Sequence, residues 1–182
     1  MDTVPLLKVI EMYGDENRSK TILYTAVFAA LIAAGGWISL PFFAVPFTLQ
    51  TFFILLAAAV MKERAVLPVL LYVSAGLLGL PVFHNGSAGI GILLSPSGGF
   101  LIGFIISAFA AGYFFARQKN IAAVVSAILI YDTAAVLWFM VTAASPFLSA
   151  VITCVLPFLP ADILKGIVAV FAAKRLWRIQ ND

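Results

Sequence analysis

The stretch TILYTAVFAALIAAGGWISLPFFAVPFTLQTFFILLAAAVM, residues 21–61, contains no Asp, Glu, Lys or Arg and decides the fold class. Residues 65–116 are also free of these four residue types. A membrane-spanning helix needs about 20 mostly apolar residues, so each stretch is long enough for two spans. Continuous apolarity favours helices over a membrane barrel, whose strands alternate apolar and polar residues. The sequence therefore predicts an all-α integral membrane protein.

The composition supports the same class. Of the 182 residues, 63% are hydrophobic and 10% are charged, whereas soluble domains average about 25% charged residues. So few charges cannot cover a water-facing surface, which excludes a soluble fold. The single cysteine, Cys154, cannot form an internal disulfide, and its apolar surroundings favour a small buried hydrophobic residue.

Six spans are predicted from the apolar segments. Proline and glycine punctuate the two uncharged stretches near residues 41–46 and 79–99, and two more apolar segments follow. A cytoplasmic N-terminal segment, 1–19, precedes the predicted six-helix domain at 20–176, and a cytoplasmic tail, 177–182, follows it. The six predicted spans cover residues about 20–39, 46–61, 65–82, 100–116, 121–142 and 147–173.

The basic residues predict the orientation. All eleven Lys and Arg residues except Lys165 lie before the first predicted span, after the last, or in the second and fourth connections. Because Lys and Arg concentrate in cytoplasmic loops, both termini should be cytoplasmic. The net charge of +3 is interpreted as a consequence of membrane insertion, and no nucleic acid is expected as a partner. The ten basic residues assigned to the cytoplasmic side are Lys8, Arg18, Lys20, Lys62, Arg64, Arg117, Lys119, Lys174, Arg175 and Arg178.

Asp162 and Lys165 interrupt the last predicted span, in VLPFLPADILKGIVAVFAAKR, residues 155–175. Residues three apart on a helix share a face and can interact. Lys165 lies about 14 Å along the helix from Lys174, well inside the hydrocarbon region. Charges at such depth usually face a bundle interior or a water-filled cavity. The pair is predicted to contact a substrate, and the alternative is a mutually neutralising pair that fixes the helix in the bundle.

Asp132 is a third ionisable residue in a predicted span, about 20 Å beyond Lys119 along a regular helix. It is interpreted as a second site group, as a partner for Lys165, or as a carboxyl group that water reaches near the outer boundary. In the outer loop, His84 is expected to be solvated. No second His and no Cys cluster accompany it, so no metal site is expected.

Two further sequence features concern ATP and helix packing. No G-x-x-x-x-G-K-[ST] pattern or catalytic constellation occurs, so this chain is not expected to hydrolyse ATP or to be an enzyme. Small residues recur every fourth position in the first predicted span, which allows close helix approach in lipid. Internal packing and docking of another membrane subunit are both compatible with this strip, which consists of Ala26, Ala30 and Ala34.

Four segments in order resemble the BioY family, the substrate-binding S components of energy-coupling factor (ECF) biotin transporters. They are VPFTLQTFFILLAA (45–58), GLLGLPVF (76–83), GGFLIGF (98–104) and LPFLPADILKG (156–166). The resemblance implies a six-helix S-component fold in the plasma membrane, with a biotin site in its outward half. It also implies a membrane coupling subunit, called the T component, and two ABC-type ATPases, which alone would use ATP.

The resemblance also implies roles for individual residues. Asp162 is expected to accept a hydrogen bond from a ureido N–H of biotin, and Lys165 to donate to the ureido oxygen or hold Asp162 ionised. Family contacts in the outer loop map onto Asn85 or Ser87. The alanine strip is implied to contact the coupling subunit. Apolar walls are expected from Tyr72, Phe83, Phe100 and Trp138, with ordinary helix packing as the alternative for each.

The predicted function is therefore biotin capture and uptake, without a cofactor or metal. One alternative is an S component for another vitamin, of the thiamin or riboflavin class. The other is a small intramembrane enzyme that uses Asp132 and Asp162 as an acid–base pair.

Overall fold

The computed structural model describes residues 6–40 and 45–181, with side chains described for 17–39, 45–176 and 178. The start of the predicted N-terminal segment, most of the predicted connection at 41–46, the Lys8 side chain and the last residue lie outside this description. The described chain consists almost entirely of helices. One short antiparallel ladder, which the all-α prediction missed, pairs Ser39–Leu40 (β1) with Phe47–Thr48 (β2).

The described part of the chain contains eight helices and two additional 3-10 turns, at Lys62–Ala65 and His84–Gly86. Each predicted span overlaps a helix or, in the last case, a pair of helices. The helices are α1 Leu6–Trp37, α2 Gln50–Met61, α3 Val66–Leu77, α4 Ile90–Leu94, α5 Gly98–Ala116, α6 Asn120–Thr142, α7 Phe147–Cys154 and α8 Leu159–Asn181.

Three described helical segments are long and apolar enough to cross a membrane, namely Asn17–Trp37, Gly98–Ala116 and Asn120–Thr142. The bent pair of α7 and α8 makes up to four. Helices α2 and α3 have 12 residues each, about 18 Å at 1.5 Å per residue, which is shorter than a hydrocarbon core. The six-span count and the cytoplasmic termini therefore stay predictions.

Two helical segments of the described chain differ in extent from the predicted spans. The last span, expected as one helix at 147–173, is broken between α7 and α8 with a bend of 46°. Pro157 lies in this break, where its missing N–H interrupts helical hydrogen bonding, and Pro160 is tolerated in the first turn of α8. The first helix begins at Leu6 rather than near residue 20, because charged residues at 8–20 are compatible with a helix.

Helix α2 lies at the centre of the fold and contacts α1, α5 and α8. Its side chains from Ile54 to Ala59 are all buried. Large apolar side chains on the outer surfaces of α1, α6 and α8 are exposed, as expected for surfaces that contact lipid. The enclosed position of α2 places its first turn, with Gln50 and Thr51, against α8.

Candidate functional site

Asp162 and Lys165 form an ion pair on the buried face of α8. Lys165 Nζ lies 2.9 Å from Asp162 Oδ1, and the two residues are only 9% and 3% exposed, respectively. The predicted shared helix face is therefore confirmed. A buried ion pair is stable only when its remaining donors and acceptors also find partners.

The chain around the first turn of α2 supplies those partners. Thr51 Oγ1 donates to Asp162 Oδ1 at 2.9 Å and accepts from Lys165 Nζ at 3.1 Å. Lys165 Nζ also donates to the Thr48 carbonyl oxygen at 2.8 Å. The three donors of the ammonium group thus have three acceptors, and its charge lies 4.1 Å from the centre of the Phe47 ring.

Gln50 extends this arrangement towards α3. Thr48 Oγ1 donates to Gln50 Oε1 at 3.0 Å, and Gln50 Nε2 donates to the hydroxyl of Tyr72. The Tyr72 ring packs edge-on against Phe83, with 5.4 Å between the ring centres. We call Thr48, Gln50, Thr51, Tyr72, Asp162 and Lys165 the Asp162 network.

A second polar group lies in the connection between α3 and α5. His84 Nε2 shares a hydrogen bond of 3.3 Å with Ser97 Oγ, which shares one of 2.9 Å with Ser95 Oγ. His84 Nδ1 is buried and has no hydrogen-bond partner among the described residues. Burial lowers the pKa of His84 below its ordinary value, because desolvation disfavours the charged imidazolium. We call His84, Ser95 and Ser97 the His84 network.

One cavity brings the two networks together. Every side chain of the Asp162 network lines it, and so do His84 and Ser97. The rest of its wall is apolar, which is typical of a small-molecule site with a few placed polar groups. The apolar lining residues are Val45, Pro46, Ile92, Phe100, Leu101, Phe104 and Phe158.

Of the four predicted aromatic wall residues, only Tyr72 and Phe100 line this cavity. Phe83 is fully buried behind Tyr72 and lies against Gly76. Trp138 Nε1 donates to the Ser95 carbonyl oxygen at 3.1 Å and so holds the segment that precedes α5. The positions of Phe83 and Trp138 therefore agree with the alternative of ordinary helix packing rather than with a place in the cavity wall.

The predicted loop residues do not line the cavity either. Asn85 is exposed and has a positive φ of 55°, which an Asn tolerates better than most residues. Ser87 Oγ donates to the His84 carbonyl oxygen at 2.7 Å. Asn85 and Ser87 form part of the turn that contains His84. The His84 side chain is only partly exposed, which is less than its position in a loop suggested.

Asp132 is buried on α6, with 6% exposure, and it does not line the cavity. Its Oδ1 has no hydrogen-bond partner within the described part of the chain. The alternative in which Asp132 pairs with Lys165 is wrong, because the ammonium group contacts Asp162, Thr51 and Thr48 instead. The alternative of a carboxyl group near the outer boundary stays a prediction.

Several cavity residues were missed by the sequence analysis, and some carried a signal. Thr48, Gln50 and Thr51 are polar residues inside an uncharged apolar stretch and inside one of the resembling segments. His84 was named but interpreted as solvated, and Ser97 was not identified as a site residue. Among the described residues, no group of three or more His, Cys, Asp or Glu side chains could hold a metal ion.

The alanine strip of α1 is on the surface. Ala26, Ala30 and Ala34 are exposed, whereas the neighbouring Ala29 is buried in the core. The strip therefore lies on the outer surface of the described chain rather than in its core.

Comparisons with known proteins agree with each other. A model of the BioY family matches residues 10–182. The "Biotin transporter BioY" of Thermotoga maritima is 37% identical over 170 residues, covering 90% of this chain and 99% of that protein. The "Probable biotin transporter BioY" of Pyrococcus horikoshii is 36% identical over 160 residues, covering 87% and 97%.

A solved structure is similar over the same extent. The crystal structure of the S-component for biotin from an ECF-type ABC transporter matches with a TM-score of 0.80 and 26% identity. The match covers 90% of this chain and 93% of that chain.

Proposed function

This chain belongs to the BioY family, and we propose that it captures biotin in the cavity between α2, α5 and α8 as the substrate-binding component of an ECF-type transporter. The observation that carries the site assignment is the buried contact of Asp162 and Lys165 with Thr51. The contact fixes a carboxylate, an ammonium group and a hydroxyl in one cavity wall.

The ureido ring of biotin suits the Asp162 network. It has two N–H donors and a strong carbonyl acceptor. Asp162 accepts from a ureido N–H, and Lys165 either holds Asp162 ionised or exchanges one of its three present acceptors for the ureido oxygen. Because these side chains are buried, a ligand that displaced their mutual hydrogen bonds without replacing them would be rejected strongly.

The other functions considered have less support. The family members named above are biotin transporters, which does not favour a thiamin or riboflavin component. An acid–base enzyme would need Asp132 and Asp162 in one site, but only Asp162 lines the cavity. Asp162 Oδ1 already accepts hydrogen bonds from Thr51 and Lys165.

The proposed partners follow from the assignment of this chain as the substrate-binding component of an ECF-type transporter. A membrane coupling subunit docks on the exposed strip of Ala26, Ala30 and Ala34, and two ABC-type ATPases supply the energy. ATP hydrolysis in these partners reorients this chain and releases biotin inside. The chain lies in the plasma membrane with cytoplasmic termini and an outward-facing site, in agreement with the distribution of Lys and Arg.

Isothermal titration of the purified protein with biotin tests the site. We expect Asp162→Asn and Lys165→Ala each to weaken binding more than tenfold, about 1.4 kcal/mol or more. Leu164→Ala is the matched control, because Leu164 lies between them on α8 and is exposed. Unchanged affinity in both charge variants would exclude this site, and no binding by the wild type would exclude the function.

A further inference from the structure

An apolar groove of about 490 Å³ runs between α6 and α8 on the outside of the bundle, away from the cavity described above. The two helices approach closely at one point, where a β-carbon on Gly166 would lie 2.4 Å from the Val124 side chain. Along the rest of the groove the apolar side chains stay open to the outside, and Ile121 and Phe171 are 82% and 68% exposed. We call this surface the α6–α8 groove.

Basic side chains lie at one end of the groove. Lys174 lines both the groove and a neighbouring hollow that contains Lys62 and Arg178, and we call these three residues the basic cluster. Asn120 also lines both, so the groove and the hollow are continuous. One candidate membrane span begins at Asn120 and another ends at Leu176, which places the basic cluster at the level of a membrane surface. Among the described residues that line the groove or the hollow, none is acidic.

We propose that the α6–α8 groove binds one anionic phospholipid, with an acyl chain against its apolar wall and the phosphate on the basic cluster. From Asn120 to Ile128 the groove extends about 12 Å along α6, which is close to half of a hydrocarbon core of about 30 Å. Basic pockets between membrane helices at a membrane surface bind anionic head groups. The proposal requires a membrane protein but does not depend on biotin capture.

The charge of the basic cluster selects this occupant. A helix of another membrane protein would fill the groove by packing alone, and the positive charges at its end would contribute nothing to that packing. A zwitterionic lipid has the same acyl chains but no net charge, so it gains less from the cluster than an anionic lipid does. The head group therefore distinguishes the proposed ligand from other apolar occupants.

Thermal unfolding of the purified protein in a neutral detergent tests the head-group contact. We expect phosphatidylglycerol to raise the melting temperature by several degrees more than phosphatidylcholine with the same acyl chains, and glycerol 3-phosphate to have no effect. A double variant, Lys174→Gln with Arg178→Gln, should lose most of this difference. Arg64→Gln with Lys119→Gln is the matched control, because it removes the same charge at exposed positions outside the groove and the hollow.

A second pair of variants tests the apolar wall. Val125→Phe places a larger side chain in the groove and should reduce the effect of phosphatidylglycerol, whereas Leu137→Phe, at an exposed position of α6 outside the groove, should keep it.

Three results would overturn the proposal. They are equal stabilisation of the wild type by the two lipids, an unchanged lipid preference in the variant of Lys174 and Arg178, and equal effects of Val125→Phe and Leu137→Phe. Stabilisation by glycerol 3-phosphate as strong as that by phosphatidylglycerol would replace the lipid with a free phosphate and would overturn it as well.

Discussion

Thr51 and Asp162 lie 111 residues apart in the sequence and are joined by a 2.9 Å hydrogen bond from Thr51 Oγ1 to Asp162 Oδ1. The same hydroxyl oxygen accepts from Lys165 Nζ, so one threonine orders both charges. The position of α2 against α8 thus determines the geometry of the ion pair.

Thr51→Val is expected to weaken biotin binding about 10- to 100-fold, because a hydrogen bond to a buried charge contributes about 1.5–3 kcal/mol. Isothermal titration measures the effect. Thr142→Val is the control, since the exposed Thr142 hydroxyl contacts only a carbonyl oxygen of its own helix in the described structure. A dissociation constant within threefold of the wild type for Thr51→Val would contradict this role.

Gly76→Ala is expected to destabilise the protein by about 1–3 kcal/mol and to weaken biotin binding. A β-carbon at Gly76 would overlap the ring of Phe83, which is fully buried and packs against Tyr72. Thermal unfolding with and without biotin measures both effects. Gly91→Ala is the control because nothing lies within 4 Å of the added carbon, and equal melting temperatures for the two variants would refute the packing argument.

Asp132→Asn is expected to raise the melting temperature and to leave the dissociation constant for biotin within about threefold. The Asp132 carboxyl group is buried with an unpaired oxygen, and burying an unpaired charge is unfavourable. Asp162→Asn is the contrasting variant, because it removes a paired charge from the cavity. A tenfold loss of affinity in Asp132→Asn would instead make Asp132 part of the site.

His84 is expected to lower the stability of the ligand-free protein as the pH drops below about 6.5, the ordinary pKa of histidine. Burial lowers the pKa of His84, so the unfolded chain binds a proton at a higher pH than the folded chain does. Melting temperatures between pH 7.5 and 5.5 measure this slope. His84→Gln should make the slope shallower over this range, and an identical slope would show that another group is responsible.

Ala30→Leu is expected to leave biotin binding of the isolated protein unchanged and to reduce its co-purification with the proposed coupling subunit and ATPases. Ala30 is exposed at the centre of the alanine strip, where a larger side chain prevents close helix approach. Thr133→Leu, at an exposed position on α6, is the control. Undiminished complex formation by Ala30→Leu would place the docking surface elsewhere.

Several features were predictable because they depend on local sequence. The helices follow from the apolar segments, and the Asp162–Lys165 contact follows from their spacing of three residues on a helix. The break between α7 and α8 was missed, although Pro157 and Pro160 mark it. The role of the alanine strip stayed open, because periodicity places residues on one face but does not say what that face contacts.

The sequence by itself determined the membrane class, the helical segments and the buried ion pair, since hydrophobic length and helix geometry act over short distances. Only the tertiary structure decided that Thr51 and Gln50 belong to the Asp162 network and that His84 and Ser97 line the same cavity. It also left Asp132 outside that cavity. These relationships depend on how α2 packs against α8, and on how the segment before α5 folds back, which are contacts between residues distant in the chain.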